Sequence, residues 1–318
     1  MSFLYLLEKI RIACPPLAAI FGVITYLGDE IAFLALALLT LWCISKHGGY
    51  FLLAVGFTGT VINQFLKITC RIPRPWVLDP NFTIWEGARE AATGYSFPSG
   101  HTQNAVGTFG ALALLSGSRI WGKRRVIFIS LCVAAALGVS FSRLFLGVHT
   151  PLDVGVSLGI ALALLVVGHL FFRRERSMRD LLLAVGAMTA VALGFVLYTE
   201  LFPFPSDVDP ANLLSARENG WTLFGAAAGV LVMIPIEKRY INYKTEAPML
   251  GQILKFLCGA ILAVGIKELM KIPLGAIYGD AAFPDAIRYF ILVLFCGCIW
   301  PLTFPYFAKL GKKKEKEI

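Results

Sequence analysis

Residues 150–172 read TPLDVGVSLGIALALLVVGHLFF, a stretch that is apolar over most of its length and carries one carboxylate, Asp153, near its start. An α-helix needs about 20 such residues to cross a bilayer. Thr150 and Asp153 have the spacing of a capping box, and Pro151 suits the first helical position. The stretch therefore predicts a transmembrane helix with a defined first residue, and His149 lies immediately before it.

Similar runs recur along the chain, which has 318 residues, 57% of them hydrophobic and only 15% charged. A soluble domain would carry roughly 25% charged residues. We predict the fold class to be all-α, a polytopic transmembrane helical bundle. Its spans are expected at about 30–46, 50–68, 100–117, 124–142, 150–172, 180–200, 219–236, 250–270 and 286–308.

The first 28 residues are less regular, because two consecutive prolines interrupt them and because Lys9 and Arg11 would lie deep in a bilayer. We predict an amphipathic helix lying in the membrane interface, with a short tenth span as the alternative. The core that follows carries the motifs described below, and an extension of four further spans ends in a basic cytoplasmic tail. These three parts are residues 1–28, 29–175 and 176–318.

The net charge of +9 resides in short loops between the spans, so nucleic acid is not an expected partner. The basic loops that fall on one side of the membrane are at 46, 117–125, 173–179, 238–244 and 309–316. Lys and Arg mark the cytoplasmic side. Segments 69–99 and 143–149 fall on the other side. We therefore expect them at the non-cytoplasmic face of a bacterial plasma membrane, or in the endoplasmic-reticulum lumen of a eukaryotic host.

Three short motifs stand at the ends of the apolar runs and bring together three cations, two histidines, a serine and a carboxylate. They are Lys67-(six residues)-Arg74-Pro75, Pro98-Ser99-Gly100-His101 and Ser142-Arg143-(five residues)-His149-(three residues)-Asp153. Phosphoryl transfer depends mainly on positioning and on electrostatic stabilisation of the phosphate oxygens, and arginine forks bind two such oxygens at once. The motifs together predict a phosphate-transfer site, although an interfacial role explains any one of the cations alone.

The second motif also predicts the start of a helix. Ser99 can cap that helix, while the N–H groups of Ser99, Gly100 and His101 can face an anion. Gly100 allows close approach of the backbone, and His101 can donate a proton to a leaving alkoxide. An ordinary capped transmembrane helix is the alternative, but it leaves a histidine at the mouth of an apolar span unexplained.

Asp153 has a structural and a chemical explanation. It is the acid of the capping box, and it lies one helical turn from His149. A histidine nucleophile needs its attacking nitrogen unprotonated, which a carboxylate at the other nitrogen achieves. The seven cysteines show no metal-ligand spacing, and neither a metal nor another cofactor is expected.

The three motifs, in this order and on one membrane side, resemble the signature of the type-2 phosphatidic-acid phosphatase superfamily over about residues 30–172. The resemblance implies metal-independent hydrolysis of a lipid phosphomonoester or pyrophosphate. It implies that His149 is the nucleophile that forms a phosphohistidine, that Asp153 orients it, and that His101 protonates the leaving alkoxide and then activates water. The implied ligands of the phosphate oxygens are Lys67, Arg74, Ser99, Gly100 and Arg143.

The four spans after the core give a long layout that is similar to sphingosine-1-phosphate phosphatases and some bacterial relatives. This likeness leaves the lipid open. The expected partners are a membrane lipid phosphate and the bilayer, with a homodimer as one assembly. A lipid transporter or flippase, or a lipid-binding homologue without activity, is the alternative. Charges at span ends rather than at mid-membrane argue against transport.

Overall fold

The computed structural model describes residues 1–89, 92–118, 120–279 and 281–310, and the regular elements within them are all helical. In chain order they are α1 (Ser2–Ala13), α2 (Pro15–Ile24), α3 (Glu30–Leu39), α4 (Lys46–Cys70), α5 (Pro75–Leu78), α6 (Gly100–Leu115), α7 (Gly122–Phe145), α8 (Pro151–Phe172), α9 (Met178–Leu201), α10 (Pro210–Ile236), α11 (Met249–Tyr278), α12 (Pro284–Leu294) and α13 (Phe304–Phe307). Most of the predicted basic tail, 311–318, lies outside the described residues.

Seven helices in the described part of the chain are long and apolar enough to cross a membrane. They are Lys46–Leu78, Gly122–Phe145, Pro151–Phe172, Met178–Leu201, Pro210–Ile241, Met249–Tyr278 and Pro284–Phe307. The helices of residues 1–28 are bent by 111° relative to each other and add an eighth candidate if the pair is one span. The predicted class, an all-α polytopic membrane protein, is confirmed.

The difference from nine or ten predicted spans arises at two places. The segment predicted at 30–46 forms a shorter apolar helix, Glu30–Ile44, and the segment predicted at 100–117 forms α6, which has 16 residues. Helix α6 opens with the polar run His101, Thr102 and Gln103, which shortens its apolar part. Its buried side chains face other helices, because α6 packs against α7 and α8.

Helices α6 and α8 begin where the sequence predicts. The hydroxyl of Ser99 accepts a hydrogen bond from the N–H of Thr102 at 3.4 Å. Thr150 and Asp153 form the reciprocal bonds of the capping box. Both caps belong to motifs, so local capping places motif residues at helix ends.

The chain packs as two compact units. The first unit comprises Met1–Leu36, Phe51–Arg174 and Leu201–Arg217, and it contains all three motifs. The second unit comprises Ala37–Tyr50, Glu175–Glu200 and Glu218–Ile318. In the second unit α10 and α12 pack closely: an ideal Cβ on Gly225 would lie 2.1 Å from the carbonyl oxygen of Ala286, so only glycine fits there. The linear division of the chain at residues 28 and 175 stays a prediction.

Candidate active site

Arg74 joins the first motif to the third. It is the N-cap residue of α5, and its side chain is buried. Its guanidinium donates hydrogen bonds to the carbonyl oxygens of Thr93 at 2.7 Å, Gly94 at 3.2 Å and Val148 at 3.0 Å. Nη1 of Arg74 also lies 3.1 Å from Nε2 of His149. The first motif therefore contacts the predicted nucleophile directly.

Lys67 and Arg143 are the other two predicted cationic ligands. Nζ of Lys67 donates to the carbonyl oxygens of Thr93 at 3.3 Å and Tyr95 at 3.0 Å. Arg143 is 1% exposed, and its Nη1 donates to Oγ1 of Thr25 at 2.7 Å. Among the described residues its Nε and Nη2 have no hydrogen-bond partner. Unpaired donors on a buried guanidinium are costly, so Arg143 has donor capacity that an anion would satisfy.

His149 lies in the turn between α7 and α8 and is 2% exposed. Its Nδ1 lies 3.4 Å from Oδ2 of Asp153, while its Nε2 faces Arg74. The same Oδ2 accepts a hydrogen bond from the N–H of Thr150 at 2.7 Å. The carboxylate thus serves the capping box and also lies beside the imidazole, as the two explanations of Asp153 require.

The pKa of His149 is held well below its ordinary value, first by burial and then by the positive charges of Arg74, Arg143 and Lys67. The imidazole is therefore neutral at neutral pH. A carboxylate beside Nδ1 favours the tautomer with its proton on that nitrogen. The lone pair then lies on Nε2, where it accepts the hydrogen bond from Arg74.

Ser96 is a member of the site that sequence reasoning missed. Its side chain is fully buried, and its Oγ donates to Oδ2 of Asp153 at 2.6 Å. The same Oγ lies 3.5 Å from Nδ1 of His149. Ser96 and Thr150 thus orient the carboxylate oxygen that faces the histidine. No spacing rule marks Ser96, and its only sequence signal is a small polar side chain three residues before the cap at Ser99.

The second motif begins α6 beside these groups. The N–H of Ser99 donates to the carbonyl oxygen of Asp153 at 3.2 Å, so this N–H has a partner within the protein. Gly100 and His101 are the first helical residues, where N–H groups lack partners within the helix. An ideal Cβ on Gly100 would meet only Oδ1 of Asn63, at 3.6 Å, so packing does not demand glycine there.

In the described part of the chain, no three His, Cys, Asp or Glu side chains cluster as metal ligands would. The geometry instead gathers Lys67, Arg74 and Arg143 around the His149–Asp153 pair, with Ser96 as an addition. Of the predicted site residues, Arg74 of the first motif contacts His149 of the third directly, while Lys67 and Arg143 act on His149 through their charges. The second motif meets them through the backbone of Ser99.

Comparison with known proteins identifies the family. The chain matches the PAP2 superfamily over residues 47–177. It matches the transmembrane extension of the PAP2 superfamily phosphatases over residues 221–313. The protein belongs to the PAP2 superfamily, and the predicted resemblance is confirmed.

Three named phosphatases are similar to this chain. An undecaprenyl-diphosphatase of Bacillus subtilis (strain 168) is 35% identical over 144 residues, which cover 44% of this chain and 66% of the relative. Phosphatidylglycerophosphatase B of Escherichia coli (strain K12) is 43% identical over 75 residues, which cover 24% of this chain and 28% of the relative. A probable sphingosine-1-phosphate phosphatase of Dictyostelium discoideum is 29% identical over 150 residues, which cover 45% of this chain and 35% of the relative. Each alignment thus covers less than two thirds of the relative. No solved structure matches the chain.

Proposed function

We propose that this multi-pass PAP2 superfamily phosphatase hydrolyses a lipid phosphomonoester or pyrophosphate, without a metal ion, through a phosphohistidine on His149. The observation that carries the proposal is the position of the buried His149, with Asp153 beside Nδ1 and Arg74 on Nε2. An imidazole held in this way offers Nε2 as a nucleophile while Nδ1 keeps its proton.

The charge balance of the site favours a phosphate ligand. Lys67, Arg74 and Arg143 all act electrostatically on His149, and Asp153 is the carboxylate beside it. Three cations act on His149 against the one carboxylate beside it, and Asp29 is a second carboxylate that acts on Arg143, so the site keeps a surplus of positive charge. A phosphate monoester carries about −1.5 to −2 at pH 7 and would balance this surplus. Its oxygens would also supply acceptors for Nε and Nη2 of Arg143.

In the first chemical step Nε2 of His149 attacks the phosphorus, and the P–O bond to the lipid breaks. His101 takes up a proton when the negative charge of the phosphate offsets the nearby cations, and it donates that proton to the leaving oxygen. The hydrogen bond that Arg74 makes to Nε2 passes to a phosphoryl oxygen, so the same guanidinium stabilises the developing charge. Asp153, oriented by Ser96, holds the Nδ1 proton throughout this step.

In the second step His101 accepts a proton from water, and the water oxygen attacks the phosphorus of the phosphohistidine. The P–N bond breaks, which restores neutral His149 and releases inorganic phosphate. The first N–H groups of α6, at Gly100 and His101, are suited to bind a phosphoryl oxygen in both steps. Ser99 supports them as the helix cap.

We place the reaction at the non-cytoplasmic face, because the basic loops fall on the other side of the membrane. A bacterial inner membrane is the proposed location, with the endoplasmic-reticulum lumen as the eukaryotic counterpart. Among lipid substrates, a polyprenyl diphosphate is the first candidate. The relative named as an undecaprenyl-diphosphatase aligns over more of its length than the other two.

The test measures phosphate release from phosphatidate, phosphatidylglycerol phosphate, polyprenyl diphosphate and sphingoid-base phosphate, in detergent with EDTA present. We expect the wild type to hydrolyse at least one of these lipids and His149→Ala to be inactive on all of them. His169→Ala is the matched control, because His169 is exposed and lies near the far end of α8, the helix that follows His149.

A reaction with substrate labelled in the phosphate, quenched in alkaline detergent, should show an alkali-stable, acid-labile phosphoenzyme in the wild type and none in His149→Ala. Full activity of His149→Ala would refute the mechanism. Complete loss of wild-type activity with EDTA would refute metal independence. Sealed vesicles of known orientation, given a short-chain water-soluble substrate, test the proposed face.

A further inference from the structure

Arg11 is a buried cation that the proposed mechanism does not use. It lies on α1, outside residues 47–177 that match the PAP2 superfamily, and it is 5% exposed. Its Nη1 donates to the carbonyl oxygen of Phe145, and its Nη2 donates to the carbonyl oxygen of Thr83. One guanidinium thereby bridges the end of α7 and the loop before α6.

The contact with Phe145 falls inside the third motif. Phe145 is the last residue of α7, two residues after Arg143 and four before His149. The last four carbonyl groups of a helix lack partners within it, and a cation there is favourable. Arg11 therefore satisfies the helix end from which the turn to His149 departs.

The turn itself passes directly beside Arg11. Gly147 has a φ of +81°, and an ideal Cβ on it would lie 3.3 Å from Nη1 of Arg11 and 3.0 Å from the ring of Phe82. Its neighbours Leu146 and Val148 are fully buried and belong to one hydrophobic cluster with Leu4 and Phe82. The backbone between Arg143 and His149 is thus enclosed by α1 and the 82–88 loop.

The rest of α1 holds that loop in place. Oε1 of Glu8 accepts a hydrogen bond from the N–H of Thr83 at 2.6 Å, and the hydroxyl of Tyr5 donates to the carboxylate of Asp79. The buried face of α1 consists of Leu4, Leu7, Glu8 and Arg11. This spacing is that of one helix face, so α1 lies along the loop and the turn as a strap.

We infer that Arg11 is a positioning residue for the reaction at His149, an inference that rests on the proposed function. A guanidinium fork reaches two carbonyl oxygens with separate nitrogens, whereas an ammonium is a single point of charge. Without Arg11, the turn would no longer hold His149 at hydrogen-bonding distance from Arg74. Misplacement of a reacting group costs rate rather than substrate binding.

The test compares Arg11→Ala and Arg11→Lys with Lys9→Ala, a matched control on the exposed side of the same helix. All are assayed as full-length, monodisperse protein on the lipid that the wild type hydrolyses. We expect Arg11→Ala to lower kcat about ten- to a hundredfold with KM nearly unchanged. Arg11→Lys should retain part of the rate. Millimolar guanidinium should restore part of the Arg11→Ala rate and leave the wild type and Lys9→Ala unchanged.

A wild-type kcat in Arg11→Ala would overturn the inference while leaving the proposed function intact. The inference is also overturned if the activity of both Arg11 variants falls only as much as their folded fraction falls and if guanidinium restores none of it. If Arg11→Ala does not fold, the kcat and KM of Arg11→Lys decide: a normal kcat overturns the inference, and a lowered kcat with normal KM supports it. A wild type that releases phosphate from no lipid refutes the proposed function and this inference with it.

Discussion

The charged pair Lys46–Glu237 and the buried Lys255 of the second unit have partners within that unit, whereas Arg143 of the first unit keeps donors without partners. In the second unit, Nζ of Lys46 lies 2.8 Å from Oε1 of Glu237, which is 1% exposed. Nζ of the buried Lys255 donates to the carbonyl oxygen of Thr245 at 2.9 Å and lies 4.7 Å from the ring centre of Phe304. These charges find their partners within the unit, so they serve the fold.

In the first unit the cations outnumber the carboxylate beside them, and Arg143 keeps unpaired donors at Nε and Nη2. Charge that folding leaves unbalanced is available to a ligand, and donors fixed before the ligand arrives need little reorganisation. The comparison teaches that a buried cation with unpartnered donors, such as Arg143, is open to a ligand, whereas a paired charge such as Glu237 or Arg11 holds structure in place. Burial alone does not distinguish the two units.

Lys46→Met tests the second unit and has the largest expected effect. Removal of the ammonium leaves the carboxylate of Glu237, which is 1% exposed, without its cation, and this typically costs about 3–5 kcal/mol of unfolding free energy. Thermal unfolding in detergent should show a clearly lower midpoint. The rate of phosphate release per folded molecule should stay near that of the wild type. The double variant Lys46→Met/Glu237→Gln should recover part of the stability. An unchanged midpoint in Lys46→Met would contradict the structural role of the pair.

Arg143→Ala tests the first unit. Loss of a preorganised donor at a transition state costs about 10²–10³-fold in rate, so kcat/KM should fall by that amount. The unfolding midpoint should not fall, because the variant also removes an uncompensated buried charge. Arg143→Lys is the matched control, because it keeps the positive charge without the planar guanidinium. Its kcat/KM should lie between those of the wild type and Arg143→Ala. A destabilised but fully active Arg143→Ala would show that this cation serves the fold, like those of the second unit.

The pH dependence is the smallest expected effect. Because the pKa of His149 is lowered, its neutral form persists on acidification, and the acidic limb of kcat/KM should lie below the ordinary histidine value of about 6.5. Lys67→Gln removes one of the charges that lower this pKa, so the limb should move to higher pH. The pKa of the substrate's phosphate is measured separately, and the pH profile of kcat/KM is corrected for it. An acidic limb that does not move in Lys67→Gln would show that this charge does not act on His149.

Much of the site followed from the sequence because its signals are local. Ser99 as a cap, and Thr150 with Asp153 as a capping box, depend on residues three positions apart. The identities of the cationic residues and the histidines can also be read directly from the sequence. The segments predicted as spans at 30–46 and 100–117 form helices that are shorter than the seven candidate spans, Glu30–Ile44 and α6.

The contacts that make these residues a site were not readable from the sequence. Arg74 and His149 are 75 residues apart, Ser96 and Asp153 are 57 apart, and Arg11 and Phe145 are 134 apart. No periodicity or spacing rule relates positions at such separations. Ser96 and Arg11 were therefore missed as members of the site, although both are buried against it.

The sequence by itself determined the membrane class, the helix starts and the inventory of charged groups at the ends of α4, α6, α7 and α8. These depend on the length of apolar runs and on capping within a few residues, which act locally. The tertiary structure alone decided which buried charges are paired and which are left unbalanced. The pairing of a buried charge depends on contacts between residues far apart in the sequence. Tertiary packing, rather than local conformational preference, brings such residues together.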